Sequence, residues 1–258
     1  MKRKISLLFI IIVFAASTGL FGQENTGDTG TSGKKNTFDY NVGFNLAYNN
    51  TPVKINDLAI NNSLVFSYAA LELAIEMKDN LTMGIIAGFN RNYLKDTIAS
   101  NILPVPVEFN HEKSTSMMLG VNISSEFLLP GDFSFKAGGE LLYFKLFENQ
   151  LTLNTGNGTA AFKNSFYRLT LELLAQYDGF STFTIFAGPH LNMVSGKYTA
   201  AETLTDQTEA KESYNYSQRK ALGLSLGANF DLGSHFTLDA KLSFISTTSL
   251  SIKFFYVF

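Results

Sequence analysis

The chain has no cysteine and no tryptophan, and only five prolines and three histidines among its 258 residues. Without cysteine there can be no disulfide staple, no thiolate metal centre and no lipid-modified amino-terminal cysteine. Outside the amino-terminus there is no apolar run approaching the ~20 residues of a membrane-spanning helix. A helical membrane protein is therefore excluded. Basic residues are also few, 20 against 22 acidic ones, and they form no patch of the kind that grips nucleic acid. Three scattered histidines, His111, His190 and His235, give no metal-ligand spacing, and no cofactor motif is present.

Aromatic residues, by contrast, are abundant: 24 Phe and 11 Tyr. They recur with period two, the spacing that places side chains on one face of a strand. Phe38, Tyr40, Val42, Phe44, Leu46 and Tyr48 alternate with small or polar residues. Equivalent runs centre on residues 71–77, 81–89, 117–127, 133–143, 167–177, 183–191, 222–230, 236–244 and 250–258. Ten strands follow, with eight or twelve as the neighbouring even counts. Short turns at Lys78-Asp79-Asn80, Pro130-Gly131-Asp132, Asp178-Gly179 and 231–235 alternate with long polar segments at 50–62, 94–113, 148–163 and 197–216. The ninth connection, Ser246-Thr247-Thr248, is short where the alternation asks for a long one. The opposite face of the strands carries Gly, Ala, Ser, Thr and Asn with occasional charges.

A lipid-facing apolar surface and a narrow polar interior account for this pattern. Glycine at 43, 84, 88, 120, 138, 188, 223 and 227 suits a crowded interior and would be a poor choice for a solvated exterior. The final strand places Leu250, Ile252, Phe254, Tyr256 and Phe258 on one face. That segment resembles the carboxy-terminal signal by which bacterial outer-membrane barrels are recognised for insertion. The chain as a whole resembles a small ten-stranded outer-membrane β-barrel protein of the porin-like superfamily over residues 37–258. The expected fold is all-β: a transmembrane antiparallel up-and-down β-barrel.

Met1-Lys2-Arg3-Lys4 followed by the apolar run 5–16 and the small residues Ser17, Gly19 and Gly22 has the form of a cleavable signal peptide, 1–22. Residues 23–36 read as a flexible periplasmic arm. Outer-membrane localisation follows, with membrane lipid and, through the last strand, the barrel-assembly machinery as partners. Small solutes or host ligands are the remaining partners to consider.

By parity the lumen receives Asp39, Glu72, Glu76, Glu126, Lys136, Glu140, Arg168, Glu172, Arg219, Asp239, Lys241 and Lys253. These charges read either as a salt-bridged plug or as the constriction of a cation-preferring pore. The expected role is non-enzymatic, a narrow channel or a structural surface protein; the alternative is an adhesin acting through its long loops. An omptin-like protease would need acids and a histidine together at the outer rim, and His111 sits apart from Glu148, Asp206, Glu209 and Glu212. A lipid A deacylase-type site needs a Ser-His pair facing the membrane, whereas His190 faces inward by parity. The apolar stretch 101–109 reads as a lid over the barrel mouth, the alternative being a contact to a host or partner surface.

Deleting Phe258 is expected to impair insertion while leaving export intact. Fractionation and surface protease accessibility would check this; a deletion variant displayed normally would remove the insertion-signal assignment.

Overall fold

The computed structural model describes residues 39–55, 60–77, 80–95, 115–146, 149–152, 158–204 and 209–258. All regular structure among them is β, in strands β1 (Asp39–Ile55), β2 (Ile60–Met77), β3 (Leu81–Lys95), β4 (Thr115–Leu128), β5 (Phe133–Leu146), β6 (Asn149–Thr152), β7 (Gly158–Tyr177), β8 (Phe183–Leu204), β9 (Glu209–Gln218), β10 (Leu222–Asp231), β11 (Phe236–Phe244) and β12 (Thr248–Val257). Two pairs of these are single staves interrupted once. β5 and β6 both lie against β7, and β9 and β10 both lie against β8. Ten staves result, every neighbouring pair antiparallel. The sheet closes where β12 pairs with β1 from Asn41↔Val257 to Asn50↔Thr248. Closure leaves no edge, which is what a sheet in hydrocarbon requires.

The strands reach further than the polar composition of the connections implied. β1 continues to Ile55 and β2 starts at Ile60, so most of 50–62 is hairpin and not loop. Likewise β6 and β7 occupy much of 148–163, and β8 and β9 much of 197–216. A polar strand beyond the hydrocarbon still satisfies its backbone through the ladder, and water on its outer face removes the demand for apolar residues. The stretch 101–109 and His111 lie outside the described residues, as do 1–22 and 23–36.

Toward the hairpin end the barrel narrows. β11 ends at Phe244 and β12 begins at Thr248, so both stop short of the outer hairpins. The edge of β1 that they leave is taken by β9, with Val53↔Gln218 through Ile55↔Tyr216. The short ninth connection is therefore the point at which two staves drop out. A path of cross-strand partners leaving β1 at Asn45 passes through Ala70, Gly88, Met118, Phe144, Phe166, Gly196 and Tyr216 and regains β1 at Ile55. That upward stagger gives the tilted staves of a closed barrel.

Outside, Tyr40, Phe44, Leu46 and Tyr48 on β1 are exposed, as are Leu71, Leu73 and Ile75 on β2 and Leu222, Leu224 and Leu226 on β10. From Tyr40 to Tyr48 the band is roughly 20 Å tall at ~3.3 Å per residue and a tilt of ~40°. Such a surface is unsuited to water and matched to lipid. The refolded chain is expected to run at different mobilities on SDS gels before and after boiling. Identical mobility, with extraction as a soluble species, would overturn the barrel.

Candidate functional site

The inner wall divides into two zones. The outer zone is apolar. Phe144 and Phe166 are 0% exposed and Phe66 is 1% exposed. The rings of Phe144 and Phe166 stack at 4.4 Å, and Phe66 meets each of them edge-on at 5.2 Å. Val53, Ile55, Leu64, Ile86, Met118, Leu142, Val194 and Tyr216 belong to the same cluster. These residues continue the inward parity of the charged positions: Glu72, Ala70, Tyr68, Phe66 along β2, and Glu140, Leu142, Phe144 along β5. The expectation of a uniformly small and polar inner face is corrected here. In the narrowed, eight-stave section the circumference is small enough for aromatic side chains to meet across it. A buried polar ladder runs beside this plug: Tyr216 Oη donates to Asn164 Oδ1 at 2.8 Å, Asn164 Nδ2 to Asn92 Oδ1 at 2.7 Å, and Asn92 Nδ2 to Asn90 Oδ1 at 2.7 Å. Burial raises the pKa of the Tyr216 hydroxyl, keeping it a proton donor.

Beneath the plug lies a polar cavity of about 330 Å³. Its lining extends from Arg168, Tyr68 and Asn49 under the plug to Asn41, Glu76, Glu126 and Val257 near the turn end of the barrel. Ten of the twelve charges assigned to the lumen line it: Glu72, Glu76, Glu126, Lys136, Glu140, Arg168, Glu172, Asp239, Lys241 and Lys253. Asp39 is exposed at the foot of β1. Arg219 is also exposed and so departs from its parity assignment; residues 219–221 form the step between β9 and β10, where strand parity no longer holds.

Six of the cavity charges form a closed set. Arg168 pairs with Glu140, Lys241 Nζ with Glu172 at 2.8 Å, and Lys253 Nζ with Glu72 at 3.1 Å and Glu140 at 3.8 Å. Asn122 adds a hydrogen bond to Glu72. Arg168 is the keystone: it also donates to Asn49 at 3.0 Å and to Tyr68 at 3.4 Å. Its guanidinium lies 5.7 Å from the ring centres of both Phe66 and Tyr68, at the base of the plug. Contacts of this kind suit a flat, weakly hydrated cation better than an ammonium.

His190 is buried between hydroxyls, with Nδ1 at 2.9 Å from Ser225 Oγ and Nε2 at 2.7 Å from Ser246 Oγ. Gly223 sits so close to this ring that a side chain there would displace it. Both nitrogens are occupied by structural partners, and the ring faces inward, away from lipid. No group of three or more metal-ligating side chains occurs among the described residues. His235 lies at the opposite end from Ser246, exposed, with Nδ1 near the Val257 carbonyl. The Phe66–Phe144–Phe166 set escaped the reading of the sequence, although extending the charged parity outward would have reached it.

No protein-family profile matches the chain, and no curated protein matches it in sequence. Its fold is similar to solved outer-membrane barrels. Neisserial surface protein A is 10% identical over 85% of this chain and 97% of that one, with a TM-score of 0.37. A major outer membrane protein from Thermus thermophilus is 10% identical over 86% of this chain and 100% of that one, at 0.39. The β domain of the Bordetella autotransporter BrkA is 11% identical over 87% and 100%, at 0.42. These likenesses carry no argument about activity.

Replacing Arg168 by Leu is expected to destabilise the barrel by about 3–5 kcal/mol, because Glu140 is left buried beside a lost partner. The double variant R168L/E140L should recover part of that loss in urea unfolding from vesicles. Equal or additive losses would show that the pair is not coupled.

Proposed function

We propose that this chain is an integral outer-membrane barrel with a sealed lumen, a structural surface protein and not a channel. The observation that carries this reading is the Phe66–Phe144–Phe166 plug in the narrowed outer section. An ion crossing there would leave water for an apolar layer, and desolvation alone would hold conduction off. Below it the paired charges give the cavity no excess mobile sign at mid-barrel. The vestibule they line is a blind end that starts from the turn side.

In this reading segment 1–22 directs export, the turn side and both termini face the periplasm, and β12 presents the insertion signal. The barrel is non-enzymatic. Its hairpins β1/β2, β7/β8 and β8/β9 stand beyond the apolar outer band as ladder-bonded surfaces and offer the contacts that an adhesin would use. Rigid hairpins present a fixed outline with little ordering cost on binding.

Planar-bilayer recording of refolded protein tests the seal. The wild type is expected to be silent. The variant F144A/F166A, which removes both stacked rings, is expected to give discrete salt-dependent steps, provided its gel shift on boiling confirms that it still folds. Steps from the wild type would replace the sealed reading with a channel; silence from both would move the seal to the ionic layer.

A further inference from the structure

Side chains that line the cavity leave four polar atoms without a hydrogen-bond partner among the described residues. Asn49 Nδ2 and Arg168 Nε are donors; Asn41 Oδ1 and Asn122 Oδ1 are acceptors. Asn49 is 2% exposed and Arg168 8%, so neither stands open to bulk water. Neighbours fix these roles. Asn49 Oδ1 accepts from Arg168 Nη1 at 3.0 Å, so turning the amide over would set its NH2 group against the guanidinium. Asn122 Nδ2 donates to the Glu72 carboxylate, and the same turn would set an oxygen against a carboxylate. Both amides belong to one connected layer. Asn49 joins Arg168, Arg168 joins Glu140, Lys253 bridges Glu140 and Glu72, and Glu72 holds Asn122. This layer thus keeps donors unmatched at its Arg168 end and an acceptor unmatched at its Glu72 end. Asn41 adds a second acceptor lower on β1, toward the turn end. A buried polar network satisfied only in part is costly, and a molecule that completes it is favoured.

Size and charge narrow the class of that molecule. A cavity of about 330 Å³ stands at the lower end of small-molecule sites, ~300–1,000 Å³, and suits one ring-sized solute better than a chain. The six charges of the layer cancel. The other four lining charges are three acids, Glu76, Glu126 and Asp239, against one base, Lys136. An anion would answer the two donors but meet this acidic surplus. A cation would answer the acids and leave Asn49 and Arg168 unmet. A hydroxyl both accepts and donates, so a neutral ring carrying several of them answers both sets without adding charge.

We propose that the vestibule is a binding site for a neutral, ring-sized polyol of the monosaccharide class, entering from the turn side. Hydroxyl oxygens accept from Asn49 Nδ2 and Arg168 Nε at the blind end, and hydroxyl hydrogens are donated to Asn122 Oδ1 and Asn41 Oδ1. The proposal rests on the sealed-barrel reading for its blind end and its side of entry, whereas binding at the four atoms is measured independently of conduction.

The test titrates the folded full chain in detergent with D-glucose, with glucuronate, which is the same ring carrying an anion, and with N-acetylglycinamide, a neutral amide. Proton–nitrogen NMR reads the Arg168 Nε–H and Asn49 Nδ2–H signals, assigned by their loss in R168K and N49D. Glucose is expected to shift both signals saturably, and glucuronate and the amide to bind more weakly. N49D keeps the oxygen that Arg168 needs and replaces the donor; N41A leaves the ionic layer intact. Each should weaken glucose binding about five- to tenfold, as one lost hydrogen bond does. K54Q, exposed on the outer part of β1, should leave it unchanged. Absence of a saturable shift with glucose would overturn the site and leave water as its content. Glucuronate or the amide binding as tightly as glucose would overturn the neutral polyol, and unchanged glucose affinity in both N49D and N41A would overturn its placement. Bilayer recording of the same preparation reports the seal separately: a conducting wild type that binds glucose fails the sealed reading alone, and a silent one that does not bind fails this proposal alone. The boiled-versus-unboiled gel shift establishes that each variant is folded before titration.

Discussion

A peptide N–H or C=O in hydrocarbon has no water to turn to, and this constraint governs the whole barrel. Each such group left unpaired would cost several kcal/mol, so the sheet must close. Closure by β12 on β1 is therefore a condition for the other nine pairings to exist in a membrane at all. The same demand follows the chain to the place where two staves stop. Above Asn50, β1 loses β12, and the backbone it would expose is taken up by β9, with the Arg219 amide donating to the Pro52 carbonyl at 3.0 Å. The turn that ends β11 is closed by side chains: Thr247 Oγ1 donates to the Asn50 carbonyl at 3.1 Å, and Gln218 Nε2 to the Ser246 carbonyl at 3.1 Å. Ile245 sits at φ 79° in that turn, a conformation that costs a β-branched residue energy. The strain is held in place by these bonds on both sides.

Loss of two staves sets what the interior can hold. Barrel width grows with strand number, so the section beyond β11 and β12 is narrower than the ten-stave section below it. Side chains of aromatic size meet across the narrow part and exclude water. In the wider part they would leave voids, and that is where the cavity and its charges are found. The change from aromatic to ionic lining thus follows from topology. Arg168 stands at the boundary because it can face both ways, its guanidinium 5.7 Å from the Phe66 ring centre and its donors directed at Glu140 and Asn49.

Much of this was legible in residues read two at a time. Tyr40 to Tyr48 announced a strand and its lipid face, and the parity of Glu72, Glu140 and Lys253 placed them inside without any knowledge of their partners. Parity failed where the strand was interrupted, as at Arg219, because a step of uneven length resets the face. Hairpin length was hidden for a different reason. Where water wets the outer face a strand need not be apolar, so Asn61 and Asn62 look like a loop although both are in the ladder. The plug was hidden by attention to charge: Phe66, Phe144 and Phe166 share the parity of the acids but look from composition like lipid-facing residues. Only register, which sequence does not print, brings those three rings together.

The lumen charges and the exposed charges on the outer wall obey opposite rules, and the contrast explains why they are distributed as they are. Inside, low polarizability makes an unpaired ion expensive, so Glu72, Glu140 and Glu172 each have a basic partner, and the pairs tie β2, β5, β7, β11 and β12 to one another across the barrel. Outside, water and salt screen a lone ammonium, and Lys145 and Lys197 can stand on one sheet face without a protein acid between them. Pairing among these six charges therefore serves cohesion, since each of them is held by a partner of opposite sign. On this division the ionic layer of the barrel's interior is committed to cohesion, and the outer wall and hairpins are where side chains can be exchanged without opening the ladder that closes it.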